Sequence, residues 1–199
     1  MSKIDLSKAI TALKRGDVVV YPTDTLYALG ADVYNEDAVR RIFEIKKRPF
    51  DIPLSVAVAS FDGIESIAFD NDNARRLAQQ FLPGHLTLIL NKKSTISKVV
   101  TGGLDKIAVR IPDNEVALEL LSKFGPLTAT SANVHGMKTS RDIKGINKQF
   151  KGGDVAVYLD CGRLNGLPST IVDVTTKTPK IIREGIITKK DILDAIRHG

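Results

Sequence analysis

The chain has 199 residues, enough for one large domain at roughly 150 residues per domain. Hydrophobic residues make up 43% and charged residues 26%, which excludes a disordered or fibrous chain and provides for a sizeable core. Lys and Arg number 29 against 23 Asp and Glu, and the formal net charge of +6 suits an anionic partner such as nucleic acid, a nucleotide or acidic lipid. A single cysteine, Cys161, excludes an internal disulfide framework and fits a reducing cytosol. His85, His135 and His198 stand too far apart for a sequence-local metal signature, so no structural metal is expected. No apolar run approaches the ~18 residues that span a bilayer. Met1 to Asp5 carries no signal-peptide apolar region, so the expected location is the cytoplasm, with no membrane partner.

Helical and strand patterns alternate along the chain. Asp5 to Arg15 is predicted helical, with Leu6, Ala9, Ile10 and Leu13 on one face and Gly16 as its stop. Val18 to Tyr21 is a short buried strand halted at Pro22. Asn35 caps a second helix carrying Ala38, Val39, Ile42, Phe43 and Ile45, and Pro49 disfavours helical geometry at Arg48. Leu54 to Ala59 reads as a strand, Asn73 to Phe81 as a helix, and His85 to Leu90 as a strand after the break at Pro83-Gly84. Ile107 to Ile111, Leu127 to Thr130, Val155 to Leu159, Thr170 to Val174 and Ile181-Ile182 complete the predicted strands. Glu115 to Phe124 and Arg141 to Phe150 are predicted helices, and Thr188 with Asp191 forms a capping box for the last one. There is no repeat and no linker, which predicts one α/β domain, residues 1–199. The alternation is irregular, so a mixed sheet is expected.

Three segments concentrate chemistry. Tyr21 to Gly30 (YPTDTLYALG) ends a buried strand in hydroxyls and an aspartate, at the sheet edge where α/β proteins bind ligands. A turn in which Asp24 and Thr25 bond their own backbone explains the same residues. Lys46-Lys47-Arg48-Pro49 places cations at a helix end, serving either the helix dipole or a phosphate clamp. Thr128 to Gly136 (TATSANVHG) ends a strand in small hydroxyls, Asn and Gly, which is either room for a ligand or a plain turn. Arg110 and Arg183 sit in apolar strands and need partners if buried; Asp113 or Glu184 would serve, and so would a bound carboxylate or phosphate. Ser131 and His135 lie in no Gly-x-Ser-x-Gly elbow, His85 reads as structural, and Cys161 has no redox partner. Neither common glycine-rich nucleotide cradle occurs.

In order along the chain, Tyr21 to Gly30, Lys46 to Leu54, Pro83 to Leu90, Ala108 to Pro112, Thr130 to Gly136, Pro168 to Asp173 and Arg183 to Gly185 resemble the TsaC/YrdC-type threonylcarbamoyl-AMP synthases. The resemblance runs from about residue 5 to the C-terminus and is to the short form, without the second domain of longer members. It implies a YrdC-like single domain: a twisted mixed sheet flanked by helices around a large, basic, concave cavity. It implies formation of threonylcarbamoyl-AMP and pyrophosphate from L-threonine, bicarbonate or CO2, and ATP with Mg2+. The product would pass to a tRNA threonylcarbamoyl-transfer complex. Carried over by position, Thr25, Arg110, Ala129 and Ser169 would hold threonine. Lys46, Arg48, Lys106, Ser131, Asn133, Thr139 and Arg183 would hold ATP, with Lys46, Arg48, Ser131 and Asn133 nearest the chemistry.

This sequence departs from the pattern at Ala28, a usual glycine, at His85, a usual proline, at Ala57, near a histidine that helps hold threonine in several members, and at Ile52, in place of a polar residue on the nucleotide side. Two other readings follow. One is an RNA-binding module, with the same cavity holding tRNA or double-stranded RNA; with 6% aromatics and no Trp, base stacking would contribute little. The other is a relative using a different carbamoyl-type substrate, suggested by Ala28 and Ala57.

Overall fold

The apolar periodicities form most of the elements they imply, with ends shifted by up to three residues. The structure, a computed structural model, describes residues 4–198. Met1 to Lys3, most of the stretch read for a leader, lie outside the described residues, as does Gly199. Helix α1 (Ser7–Lys14) buries Ala9, Ala12 and Leu13, and the chain leaves it through Gly16 at φ 81°, a left-handed turn that glycine adopts without strain. Strand β1 (Val19–Tyr21) is buried throughout. It is apolar on both sides because Val18 and Val20 enter one hydrophobic cluster while Val19 and Tyr21 enter another. Antiparallel to it runs β2 (Ala28–Gly30), a strand the sequence reading left inside a hydroxyl-rich turn.

Helix α2 (Glu36–Lys46) starts at Asn35, whose side chain accepts from Ala38 N at 3.1 Å, and ends at Lys47 in the left-handed conformation with φ 52°. Next come β3 (Ser55–Ala57), α3 (Phe61–Ile67), β4 (Ala68–Phe69), α4 (Asp72–Phe81) and β5 (Leu86–Lys92). The elements α3 and β4 have no counterpart in the sequence reading. Beyond them lie β6 (Lys106–Arg110), α5 (Glu115–Phe124), β7 (Leu127–Thr128) and β8 (Thr130–Ser131). The chain closes with α6 (Ile143–Asn147), β9 (Val157–Tyr158), β10 (Thr170–Asp173), β11 (Lys180–Arg183) and α7 (Lys189–His198). The predicted capping box forms, with Thr188 N donating to Asp191 and Asp191 N to Thr188 Oγ1 at 3.2 Å.

The fold is mixed α/β, and the strands divide into two mixed sheets where the sequence predicted one. The smaller has the order β8-β2-β1-β9. The larger runs β11-β10-β5-β6-β3-β7, with β4 pairing on β5. Parallel pairs (β1 with β9, β5 with β10, β3 with β6) alternate with antiparallel ones. The predicted strand Leu127 to Thr130 is where the sheets part. β7 pairs with β3 in the larger sheet, β8 pairs with β2 in the smaller, and Ala129 lies between them. Thr128 locks this crossing: its hydroxyl accepts from Ala31 N at 3.0 Å and donates to Leu29 O at 2.9 Å, while its carbonyl accepts from Tyr21 Oη at 3.0 Å.

Replacing the hydroxyl by an isosteric methyl, Thr128→Val, leaves the Ala31 N–H and the Leu29 carbonyl buried without this partner. The expected loss is roughly 2 kcal/mol of stability, read as a lower urea midpoint. An unchanged midpoint would show that the crossing does not depend on this side chain.

Candidate active site

A concave cavity of about 360 Å3 opens where the two sheets part. Its walls come from the end of β1 and the start of β2, the segment after α2, the β7–β8 crossing, and the start of β10 with its neighbour β11. Such volumes suit small-molecule ligands.

The 23–26 turn is built by its own hydroxyl: Thr23 Oγ1 donates to Leu26 O at 2.6 Å and accepts from the Thr25 and Leu26 amides. The turn exists, but Thr23 builds it in place of the predicted Asp24 and Thr25, and Thr23 and Thr25 line the cavity. Arg110, 6% exposed at the end of β6, reaches the same place. Its Nη2 donates to both Asp24 oxygens, at 2.5 and 2.7 Å, and its Nη1 to Thr25 Oγ1 at 3.2 Å. The partner of Arg110 is thus Asp24; of the two acids read from sequence, Glu184 instead accepts from Lys189 N at 2.8 Å. Arg110 Nε is buried with no partner. Across the cavity, Ser169 Oγ is 3.0 Å from Thr87 Oγ1, and Arg183 donates to the Ser169 carbonyl at 2.8 and 3.1 Å. Gly166 lies so close to the Asp24 and Thr25 backbone that a Cβ would collide with it, which brings the 162–168 loop down beside the turn.

Arg48 leaves α2 through the left-handed turn at Lys47 and donates to the carbonyls of Ile52 and Pro53 at 3.2 and 2.9 Å. Burial lowers the pKa of both Arg48 and Arg183, and for Arg183 the nearby Arg110 charge lowers it further. Among the described residues, Arg48 and Arg183 pair with no carboxylate. Two guanidiniums, one half-buried and one exposed at the end of β11, with only backbone and hydroxyl acceptors make a site that favours an anion.

The structure brings Thr25, Arg48, Arg110, Ala129, Ser131, Thr139, Ser169 and Arg183 onto the wall of this one cavity. Three predicted nucleotide residues stand elsewhere. Lys106 pairs with Asp173 at 2.8 Å and is not part of the wall. The Asn133 side chain is consumed locally, with Nδ2 donating to Val134 O and Met137 O, each at 2.8 Å, and Oδ1 accepting from Ser131 Oγ. Lys46 is 1% exposed and its ammonium donates to the carbonyls of Ser131 and Asn133. Helical phase is the reason: Lys46 shares the buried face of α2 with Val39, Ile42 and Phe43, at i−7, i−4 and i−3. Thr87 joins the wall without a predicted role, whereas Thr23 and Asp24 belong to the hydroxyl-rich segment expected at a ligand-binding edge.

The other flagged residues keep modest roles. His135 is exposed in its loop. His85 Nδ1 lies 3.5 Å from Asp24 Oδ2. Burial, then Asp160, pushes the Cys161 thiol pKa up, which suits no nucleophile. Ala28 is buried and pairs with Ser131, and Ala57 is buried opposite Arg110. Among the described residues no group of His, Cys, Asp and Glu is placed to hold a metal ion, and none of their helices is long and apolar enough to cross a membrane.

A family model for the Sua5/YciO/YrdC domain, described as telomere recombination, matches residues 11–185. The chain belongs to this family. Family relatives include the threonylcarbamoyl-AMP synthase of Pyrococcus abyssi, 39% identical over 183 residues, which cover 90% of this chain and 54% of that protein. The putative threonylcarbamoyl-AMP synthase of Mycobacterium leprae is 37% identical over 193 residues, covering 96% of this chain and 87% of that one. The chain thus spans about half the length of the first relative and most of the second. Among solved family structures, P. abyssi Sua5 complexed with L-threonine superposes with a TM-score of 0.89 at 38% identity, over 94% of this chain and 56% of that one. E. coli YciO gives 0.83 at 29% identity, over 92% and 90%. The mixed α/β fold expected from the resemblance is the fold of these structures.

The burial of Lys46 has a pH signature. Desolvation first, and the Arg48 charge second, bring its pKa down to about 7 from an ordinary 10.5. Between those values the unfolded chain holds a proton that the folded one releases, so stability rises with pH across this window. From about pH 6.5 to about pH 9 the unsubstituted chain should therefore gain stability relative to Lys46→Met. Urea midpoints that run parallel for the two would show that Lys46 titrates normally.

Proposed function

We propose that this chain is an L-threonylcarbamoyl-AMP synthase acting in the cytoplasm. Its reaction would take L-threonine, bicarbonate or CO2, and Mg2+–ATP to threonylcarbamoyl-AMP and pyrophosphate. The observation that carries the reading is one cavity lined by arginines of two kinds, one paired with a carboxylate and two without. Arg110, held by Asp24, stands beside the hydroxyl of Thr25, and the hydroxyl of Ser169 lines the same cavity, a donor set suited to an amino-acid carboxylate. Arg48 and Arg183 hold positive charge that no carboxylate of the described residues neutralises, and the hydroxyls of Ser131 and Thr139 share the wall with them. The relatives' names and the threonine-bound Sua5 structure support the same assignment.

The chemistry needs no covalent nucleophile. The threonine amine adds to CO2, losing a proton to give a carbamate. A carbamate oxygen then attacks the α-phosphorus of ATP, and the bond to the β-phosphate oxygen breaks with release of pyrophosphate. The chain's part is to align the two substrates and to stabilise negative charge on the phosphates. Mg2+ would arrive with ATP, since the wall offers guanidiniums and hydroxyls and the neighbouring carboxylate, Asp24, is engaged by Arg110. The product would serve a tRNA threonylcarbamoyl-transfer complex.

The test is pyrophosphate release by the pure chain with ATP, Mg2+ and bicarbonate, supplied with one amino acid at a time. Threonine-dependent release is expected, and its absence would sink the proposal. Arg48→Ala and Ser131→Ala should each lower turnover by roughly 10²-fold while melting cooperatively like the unsubstituted chain. Unfolding of both variants would assign these residues to the fold instead.

A further inference from the structure

Lys46 ties together two segments that the fold brings in from different elements. Its own carbonyl, at the end of α2, accepts from His135 N at 2.7 Å. Its side chain runs to the other end of the same segment, where Nζ donates to Asn133 O at 2.7 Å and to Ser131 O. The 131–135 stretch is therefore pinned to the end of α2 by a single residue. Two residues further on, Arg48 enters the cavity, and Ser131 lines the opposite side of the same connection.

We propose that Lys46 is a positioning residue, a buried strut that holds the Ser131–Asn133 wall against the end of α2 and touches no substrate. The proposal rests on the synthase reading only for the identity of the nucleotide. Burial is the first support: at 1% exposure the ammonium reaches neither solvent nor a phosphate on the cavity side without withdrawing from both carbonyls. Those carbonyls would then lie in a buried region without their donor, at the usual cost of unmade hydrogen bonds. Stoichiometry is the second. A neutral lysine amine has two N–H donors, and two carbonyls accept here. Desolvation lowers the pKa to about 7, so much of the population near neutrality is uncharged, which suits a strut and not a phosphate clamp.

A strut and a phosphate ligand differ in what they do to ligands without phosphates. Titration calorimetry of adenosine, AMP, ADP and ATP into the full chain, Lys46→Met and Lys46→Gln separates them. A wall that adopts its binding arrangement a tenth of the time weakens every ligand of the series about tenfold, adenosine included. Lys46→Gln keeps two N–H donors without charge on a slightly shorter arm, and should recover part of that loss. Weakening confined to AMP, ADP and ATP, with adenosine unaffected, would overturn the proposal, as would unchanged affinity throughout. Failure of both variants to melt cooperatively would overturn it too, because Lys46 would then belong to the core. These readouts need no turnover. A chain that binds the series as expected yet releases no threonine-dependent pyrophosphate would refute the synthase reading alone.

Discussion

The cavity depends on the crossing at Ala129. Consecutive short strands, Leu127–Thr128 and Thr130–Ser131, belong to different sheets, so the chain opens a gap between the sheets as it passes from one to the other. A gap in a protein interior exposes backbone groups that must be paired. Thr128 pairs three of the nearest by using both its hydroxyl and its carbonyl. Ala129 N donates to Ser55 O at 2.7 Å, which carries the pairing one residue further. These bonds pair the backbone groups on both sides of the crossing. A larger side chain at Ala129 would take up space on the wall of the cavity.

Charge inside this opening is arranged unequally. Arg110, the most buried guanidinium of the site, has a carboxylate of its own, and Asp24 at 5% side-chain exposure is buried with it. An unpaired cation at that depth would be costly. Arg48, half-buried, and Arg183, exposed, make do with carbonyls and a hydroxyl. The gradient makes chemical sense. The deep arginine must keep its position whether or not a ligand is present, whereas the shallower pair can await a polyanion because water still reaches it.

Much of this was legible in the amino-acid sequence. The elements whose apolar residues recur at helical spacing, α2, α4 and α5, form as expected, each with the side chain before it accepting from the third residue on. Ordered motifs, compared with a known family, identified the fold and eight residues of the cavity wall. The misses have physical causes. Strand β2 hid because its Ala28 and Gly30 are small residues that accommodate neighbours, and a Cβ on Gly30 would press on the Tyr21 ring. Helix α3 carries Gly63, a poor helix former retained because Val58 leaves no room for a Cβ there. The division into two sheets depended on one residue, Ala129, and no periodicity reports a single residue.

Lys46 and Arg48 show where motif reading needs the helix beneath it. As letters, two cations two residues apart next to a proline look equivalent, and both were assigned to phosphate. On a helix, Lys46 continues the buried series Val39, Ile42, Phe43, while the left-handed Lys47 ends that series and sends Arg48 elsewhere. The intervening residue thus sorts the pair into one cation facing the protein and one facing the cavity. An arginine in place of Lys46 would bring a permanently charged group to a site where a lysine can shed its proton. A lysine in place of Arg48 would lose the fork that reaches two carbonyls at once. The chemistry of each side chain matches the environment that the helix phase selects for it, and the basic segment holds one cation bonded to backbone carbonyls and one on the cavity wall.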